Sequence, residues 1–127
     1  MEKIINSINW VEIPVLNFTQ AKEFYSRIYD YEMPETTMPS GRMGFLPMDP
    51  ESQGIGAAIV QGSGYIPTAL GVKVYLNGGK DLLTVLNRVE AAGGEIILHK
   101  TKITDELGYF AVFQDTEGNH ISLHSRE

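Results

Sequence analysis

The sequence predicts an α+β fold: two βαβββ modules whose curled mixed sheets form an open cleft, with one helix per module packed outside. Three observations carry this. The order of elements repeats with a period of about 60 residues around the segment Gly62–Thr68. Each half holds one helical apolar stripe among short β-like runs. The last third reads as strand, tight turn, strand, with Asp115-Thr116-Glu117-Gly118-Asn119 joining Tyr109–Phe113 to His120–His124. Neither half alone can bury both its helix stripe and a sheet face, so the halves share one core. Residues 1–127 are therefore a single domain, with module 1 over about 6–62 and module 2 over about 69–126.

The elements follow in order. Ile8 to Val15 predicts a strand. Asn17 offers an N-cap, with Gln20 three residues on as in a capping box. Ala21, Phe24, Tyr25, Ile28 and Tyr29 then repeat at helical spacing, and Lys22, Glu23, Ser26 and Arg27 take the outer face. Between Tyr31 and Gly62, the runs Arg42–Met48 and Ile55–Gln61 flank the turn cluster Asp49–Gly54. After the linker, Val72 to Leu76 predicts a strand. Asp81 to Ala92 predicts a helix with Leu82, Val85, Leu86, Val89 and Ala92 inward, stopped by Gly93-Gly94. Glu95–Leu98, Tyr109–Phe113 and His120–His124 complete the strands.

Composition narrows the function. A chain of 127 residues buries roughly two-thirds of its unfolded surface, enough to fold without staples. Cysteine is absent, which excludes disulfides and thiolate chemistry. The net charge of −6, with no run of bases longer than two, argues against nucleic acid. No apolar run is long enough to span a membrane. Met1–Asn6 shows no export signal, so a cytoplasmic location is expected. No Gly-x-Gly-x-x-Gly or Walker pattern indicates a nucleotide.

Val11-Glu12-Ile13-Pro14-Val15 running into Ala21–Tyr25, then Arg88–Gly94, then Asp115–Asn119 before a last strand, resemble the vicinal oxygen chelate superfamily. That superfamily includes glyoxalase I, bleomycin-resistance proteins and extradiol dioxygenases. The resemblance covers nearly the whole chain and implies the fold far more than the activity. In metal-dependent members, one divalent ion is held in the cleft by the first and last strands of each half. Carried over one by one, those positions fall on Trp10, on Lys73 (or Val72 with a one-residue shift), on Ser122, and near Ala57 or Ala58. A divalent ion needs carboxylate or imidazole donors, and none stands there. The resemblance therefore implies a member without the usual metal centre, and no cofactor is expected. It also implies a homodimer.

Strand alternation groups the candidates. Trp10 shares a face with Glu12, Lys73 with Tyr75, and Ser122 with His120 and His124. Phe45, Met43, Met48 and Tyr65 flank the same cleft. Glu12 and His124 are the catalytic candidates; Trp10, Lys73, Tyr75, Ser122 and Phe45 are the ligand-binding ones. Glu12 reads either as a general base or as an ion pair with Lys73. His124 reads as a proton-transfer group at the cleft mouth or as a frayed terminal residue. Trp10 reads as a stacking wall for a planar ligand or as a plug where an ion would sit. His120 and His124 lie about 13 Å apart on a strand, too far to share an ion. Two functions follow. One is a metal-free binder of a small organic molecule in the cleft. The alternative is a lyase or isomerase using Glu12, Lys73, Tyr75 or His124, or a non-standard metal site.

Overall fold

A computed structural model describes Lys3, Ile4 and residues 6–127. Of the N-terminal stretch read for an export signal, Met1, Glu2 and Ile5 lie outside the described residues. The chain runs β1 (Trp10–Pro14), α1 (Phe18–Tyr29), β2 (Glu35–Met38), β3 (Gly41–Phe45), β4 (Gly56–Gly62), β5 (Tyr75–Asn77), α2 (Leu83–Leu86), β6 (Glu95–Thr104), β7 (Gly108–Gln114) and β8 (His120–Ser125). These make two four-stranded sheets, ordered β1-β4-β3-β2 and β5-β8-β7-β6. The pairs β1–β4 and β5–β8 are parallel, and the others are antiparallel. The same mixed order built twice is the predicted pair of βαβββ modules, with neither sheet closed on itself.

Helix α1 forms as its sequence dictates. The Asn17 side chain accepts from the Gln20 amide at 3.1 Å, satisfying a donor the helix leaves open. Phe18, Ala21, Phe24, Tyr25 and Ile28 are buried along one face, each large side chain contributing roughly 1.5–3 kcal/mol. The helix stops at Asp30, which takes a left-handed φ of 52°, a region that aspartate tolerates better than most residues.

Helix α2 is shorter than predicted. Regular α-helix covers Leu83–Leu86 rather than Asp81–Ala92, and the chain continues as successive turns. Arg88 and Val89 donate to carbonyls three residues back, the tighter turn that ends many helices. The predicted inward side chains Leu82, Val85, Leu86 and Val89 are nevertheless buried. Burial sets the periodicity here; β-branched and Asn residues hold the α-conformation poorly.

Several strand ends also differ. β1 is Trp10–Pro14 within the predicted Ile8–Val15. β5 is Tyr75–Asn77 rather than Val72–Leu76, and Val72 lies outside it, 94% exposed. β6 reaches Thr104, well past Leu98, because this edge strand carries mostly polar side chains that an apolar pattern does not find. The fully polar run Glu35-Thr36-Thr37 opens β2 for the same reason.

The core is common to both modules. Ile13 and Ile59 of the first sheet, Val15 just after β1, and Ala111, Phe113, Ile121 and Leu123 of the second sheet belong to one buried cluster with the residues of α1 and α2. Phe24 of α1 meets Phe113 of β7 at 5.8 Å between ring centroids. The turn before β8 reaches across as well. Asn119 Nδ2 donates to the Pro14 carbonyl at 2.7 Å, and Glu117 Oε1 accepts from the Leu16 and Asn17 amides at 2.7 and 2.5 Å.

Candidate functional site

Alternation on β1 sends Ile13 into the core and leaves Trp10 and Glu12 on the opposite face, both exposed. Trp10 is 40% exposed. Its ring meets Phe45 of β3 edge-on, centroids 6.2 Å apart. Its register partner on β4 is Gly56. A Cβ there would lie 2.8 Å from the indole Cζ3 and 2.9 Å from the Met48 sulfur, so the missing side chain is what lets indole and thioether settle on the sheet.

Beside these rings lies a cavity of about 370 Å³, within the range of small-molecule sites. Trp10, Phe45, Tyr31, Met48 and the prolines 34, 47 and 50 wall it, over Gly56 and Ala57, with Glu32 among its lining. Tyr31 donates its hydroxyl to the Phe45 carbonyl at 2.6 Å, fixing the chain after α1 against β3. Burial pushes that hydroxyl's pKa well up, so it stays protonated.

Glu12 is engaged by Tyr65, whose hydroxyl donates to Oε1 at 2.8 Å. The hydrogen bond to the carboxylate, ahead of burial, raises the Tyr65 pKa above its ordinary 10.0. The expected Glu12–Lys73 pair is not among the ion pairs of the described residues. Lys73 instead donates to the Ala69 carbonyl at 3.3 Å, because β5 begins only at Tyr75 and the chain before it loops outward. Tyr75 is exposed, its ring 6.3 Å from that of Phe110, and it pairs in register with Ser122. Ser122 is 4% exposed. His124 shares a 2.6 Å hydrogen bond with the Leu107 carbonyl. A carbonyl only accepts, so the proton sits on Nε2. His124 is thus anchored within β8, not frayed. His120 meets Gln114 Oε1 at 3.1 Å.

The predicted residues do not converge on one cavity. Trp10 and Phe45 share the cavity above. Trp10 and Glu12 line a second, of about 400 Å³, with His120, Leu70 and Val72. Lys73 and Tyr75 line a third, of about 450 Å³, between β1 and β5, with Ile8, Val11 and Val74. Tyr75 and His124 line a fourth, of about 400 Å³, with Arg126. The first and third abut, since Leu46, Pro47, Gly56 and Ala57 line both. Sequence reasoning missed Tyr31, Glu32 and the three prolines. They stand in irregular chain after α1 and around the β3–β4 turn, where no periodicity reports a facing direction.

The positions at which the resemblance would place metal ligands carry indole, ammonium, hydroxyl and methyl groups. Among the described residues, no group of three or more His, Cys, Asp or Glu could hold a metal ion. This donor set does not fit a divalent ion. No helix among them is long and apolar enough to cross a membrane.

Comparison with known proteins agrees with this architecture. The family model for the Glyoxalase/Bleomycin resistance protein/Dioxygenase superfamily matches residues 7–123. No curated protein matches the chain. Among solved structures, TnmS3, an antibiotic binding protein from Streptomyces sp. CB03234, is similar at 19% identity and a TM-score of 0.65, with 99% of this chain and 100% of that one covered. A glyoxalase/bleomycin resistance protein from the same organism is similar at 20% identity and a TM-score of 0.67, covering 94% and 100%. Glyoxalase I from Zea mays is similar at 17% identity and a TM-score of 0.67; 92% of this chain matches 43% of that longer one. At these identities the likeness speaks to the fold.

Proposed function

Because the chain belongs to the glyoxalase/bleomycin resistance protein/dioxygenase superfamily, we propose that it is a metal-free binding protein for a small organic molecule. The observation that carries this is the exposed indole of Trp10, set edge-on to Phe45 over a cavity of about 370 Å³. Aromatic walls with few polar groups are a common recipe for a small-molecule site. The similarity to an antibiotic binding protein supports the same reading. The ligand spans from the Trp10–Phe45 cavity toward Lys73 and Tyr75, along the residues both cavities share. Ser122, buried beside Tyr75 on the adjacent strand, packs behind that wall rather than lining it. The protein works as a homodimer.

One observation favours the lyase or isomerase reading. Glu12 and the Tyr65 hydroxyl form a carboxylate–phenol pair, 2.8 Å apart, on the exposed face of β1. Such a pair is placed to take a proton and return it. His124 lines a separate cavity that shares no lining residue with that of Glu12, so this reading rests on Glu12 and Tyr65.

Trp10 is the chain's one tryptophan, so its indole N–H gives a single identifiable resonance. Titration against a panel of planar organic compounds is expected to move that resonance saturably, with at least one Kd at or below about 100 μM. Trp10→Ala, followed by the amide signals of β3 and β4, is expected to weaken the same compound at least tenfold. A panel that moves nothing overturns the binding reading. Turnover of a bound compound that is lost in Glu12→Gln makes the enzyme reading the correct one.

A further inference from the structure

We propose that the Trp10–Phe45 cavity selects organic cations over neutral and anionic molecules of the same shape; this rests on reading that cavity as a small-molecule site. The charges at the cavity are of one sign. Glu32 is its one fully charged lining residue, and no lysine, arginine or histidine lines it. Glu32 takes part in no ion pair among the described residues, so its charge is available to a ligand. On the second cavity that Trp10 also lines, the carboxylate is Glu12, with the His120 imidazole on the same lining.

The uncharged walls point the same way. The faces of the indole and phenyl rings carry negative potential and attract a cation placed over them. The Met48 thioether is polarizable and adapts to an irregular apolar body. Pro34, Pro47 and Pro50 have no amide hydrogen to offer, so three wall positions cannot hold an anion by the backbone. The Tyr31 hydroxyl already donates its hydrogen bond to the Phe45 carbonyl. An anion entering this cavity meets the Glu32 carboxylate and ring faces; the Lys73 ammonium lines only the abutting cavity, where it donates to the Ala69 carbonyl. A cation with a flat or alkylated body meets both attractions at once, and the net charge of −6 favours its approach.

Three bicyclic probes of nearly equal size test this: N-methylquinolinium, quinoline in its neutral form, and 1-naphthoate. Each is titrated into the intact protein while the Trp10 indole N–H is followed by NMR. N-methylquinolinium is expected to bind about tenfold more tightly than quinoline, with 1-naphthoate weakest. Glu32→Gln, at an exposed position, is expected to cut the preference for the cation about threefold. Equal binding of cation and neutral probe, or a preference for naphthoate, overturns the charge selectivity and leaves the small-molecule site standing. No response to any of the three overturns both. An unchanged preference in Glu32→Gln overturns the part given to that carboxylate.

Discussion

Asp115 is buried at 3% exposure and accepts four hydrogen bonds. They come from the Tyr25 hydroxyl at 2.7 Å, the Glu117 amide at 2.8 Å, the Asn119 amide at 2.9 Å and Asn119 Nδ2 at 3.0 Å. Burial outweighs these four donors and raises its pKa above the ordinary 3.8. A carboxyl raised in the folded state holds its proton longer there than in the unfolded chain. Its contribution is therefore full below 3.8 and fades as pH rises through the folded value. Glu35, lowered by hydrogen bonds from Lys22 and Arg42, and Asp81, lowered by the Leu83 amide and Lys100, act in the opposite sense and lose stability as pH falls. We predict that Asp115→Asn is destabilised at all pH by about 1–3 kcal/mol, because the carboxamide NH2 is set against donors where a carboxyl oxygen accepted. Its melting temperature should nonetheless close on that of the parent as pH rises from about 4 to about 7. A gap that stays constant or widens refutes this. The turn chemistry of Asp115–Asn119 was legible in the sequence, and Gly118 takes the positive φ of 91° that the turn needs. The reach to Tyr25, 90 residues away, was not, because no local pattern encodes a distant partner.

At the scale of elements, the segments with strong periodicity were the legible ones. α1 runs from its predicted cap along its predicted stripe. The strands β7 and β8 lie where their alternating residues put them. α2 kept its buried side chains while losing its regular backbone, since packing rewards the stripe and is indifferent to the hydrogen-bond pattern beneath it. β2 and the far half of β6 were missed because exposed edge strands carry polar residues on both faces. The cap on α1 supplies a test at this scale. Asn17→Ala removes the 3.1 Å acceptor for the Gln20 amide and is expected to cost about 1 kcal/mol. Chemical denaturation should show a lower midpoint with an unchanged slope. A midpoint equal to the parent's means water replaces the cap without loss.

Across the whole molecule, the two modules are joined by side chains reaching over from the β7–β8 turn and by one continuous core. The candidate site was half legible at this scale. The shared face of Trp10 and Glu12 follows from strand alternation, and the pairing of Trp10 with Phe45 follows from strand order. The separate placing of Lys73, Tyr75 and His124 depends on how the modules meet, which no periodicity records. Ile66, Leu70 and Val72 are each more than 70% exposed on the segment between β4 and β5. An apolar run left in water there is suited to cover by a second copy of the chain. Native mass spectrometry is expected to give twice the chain mass, and Val72→Glu to give a single chain mass. A parent protein found only as a single chain at micromolar concentration defeats the dimer.

The edge strands β1 and β5 belong to separate sheets, and no backbone ladder joins them. The gap they frame is lined by side chains such as Val11 and Val74. Its width can therefore drift through single substitutions while both hydrogen-bonded frameworks stay intact. The space between the halves can thus change size without refolding either one.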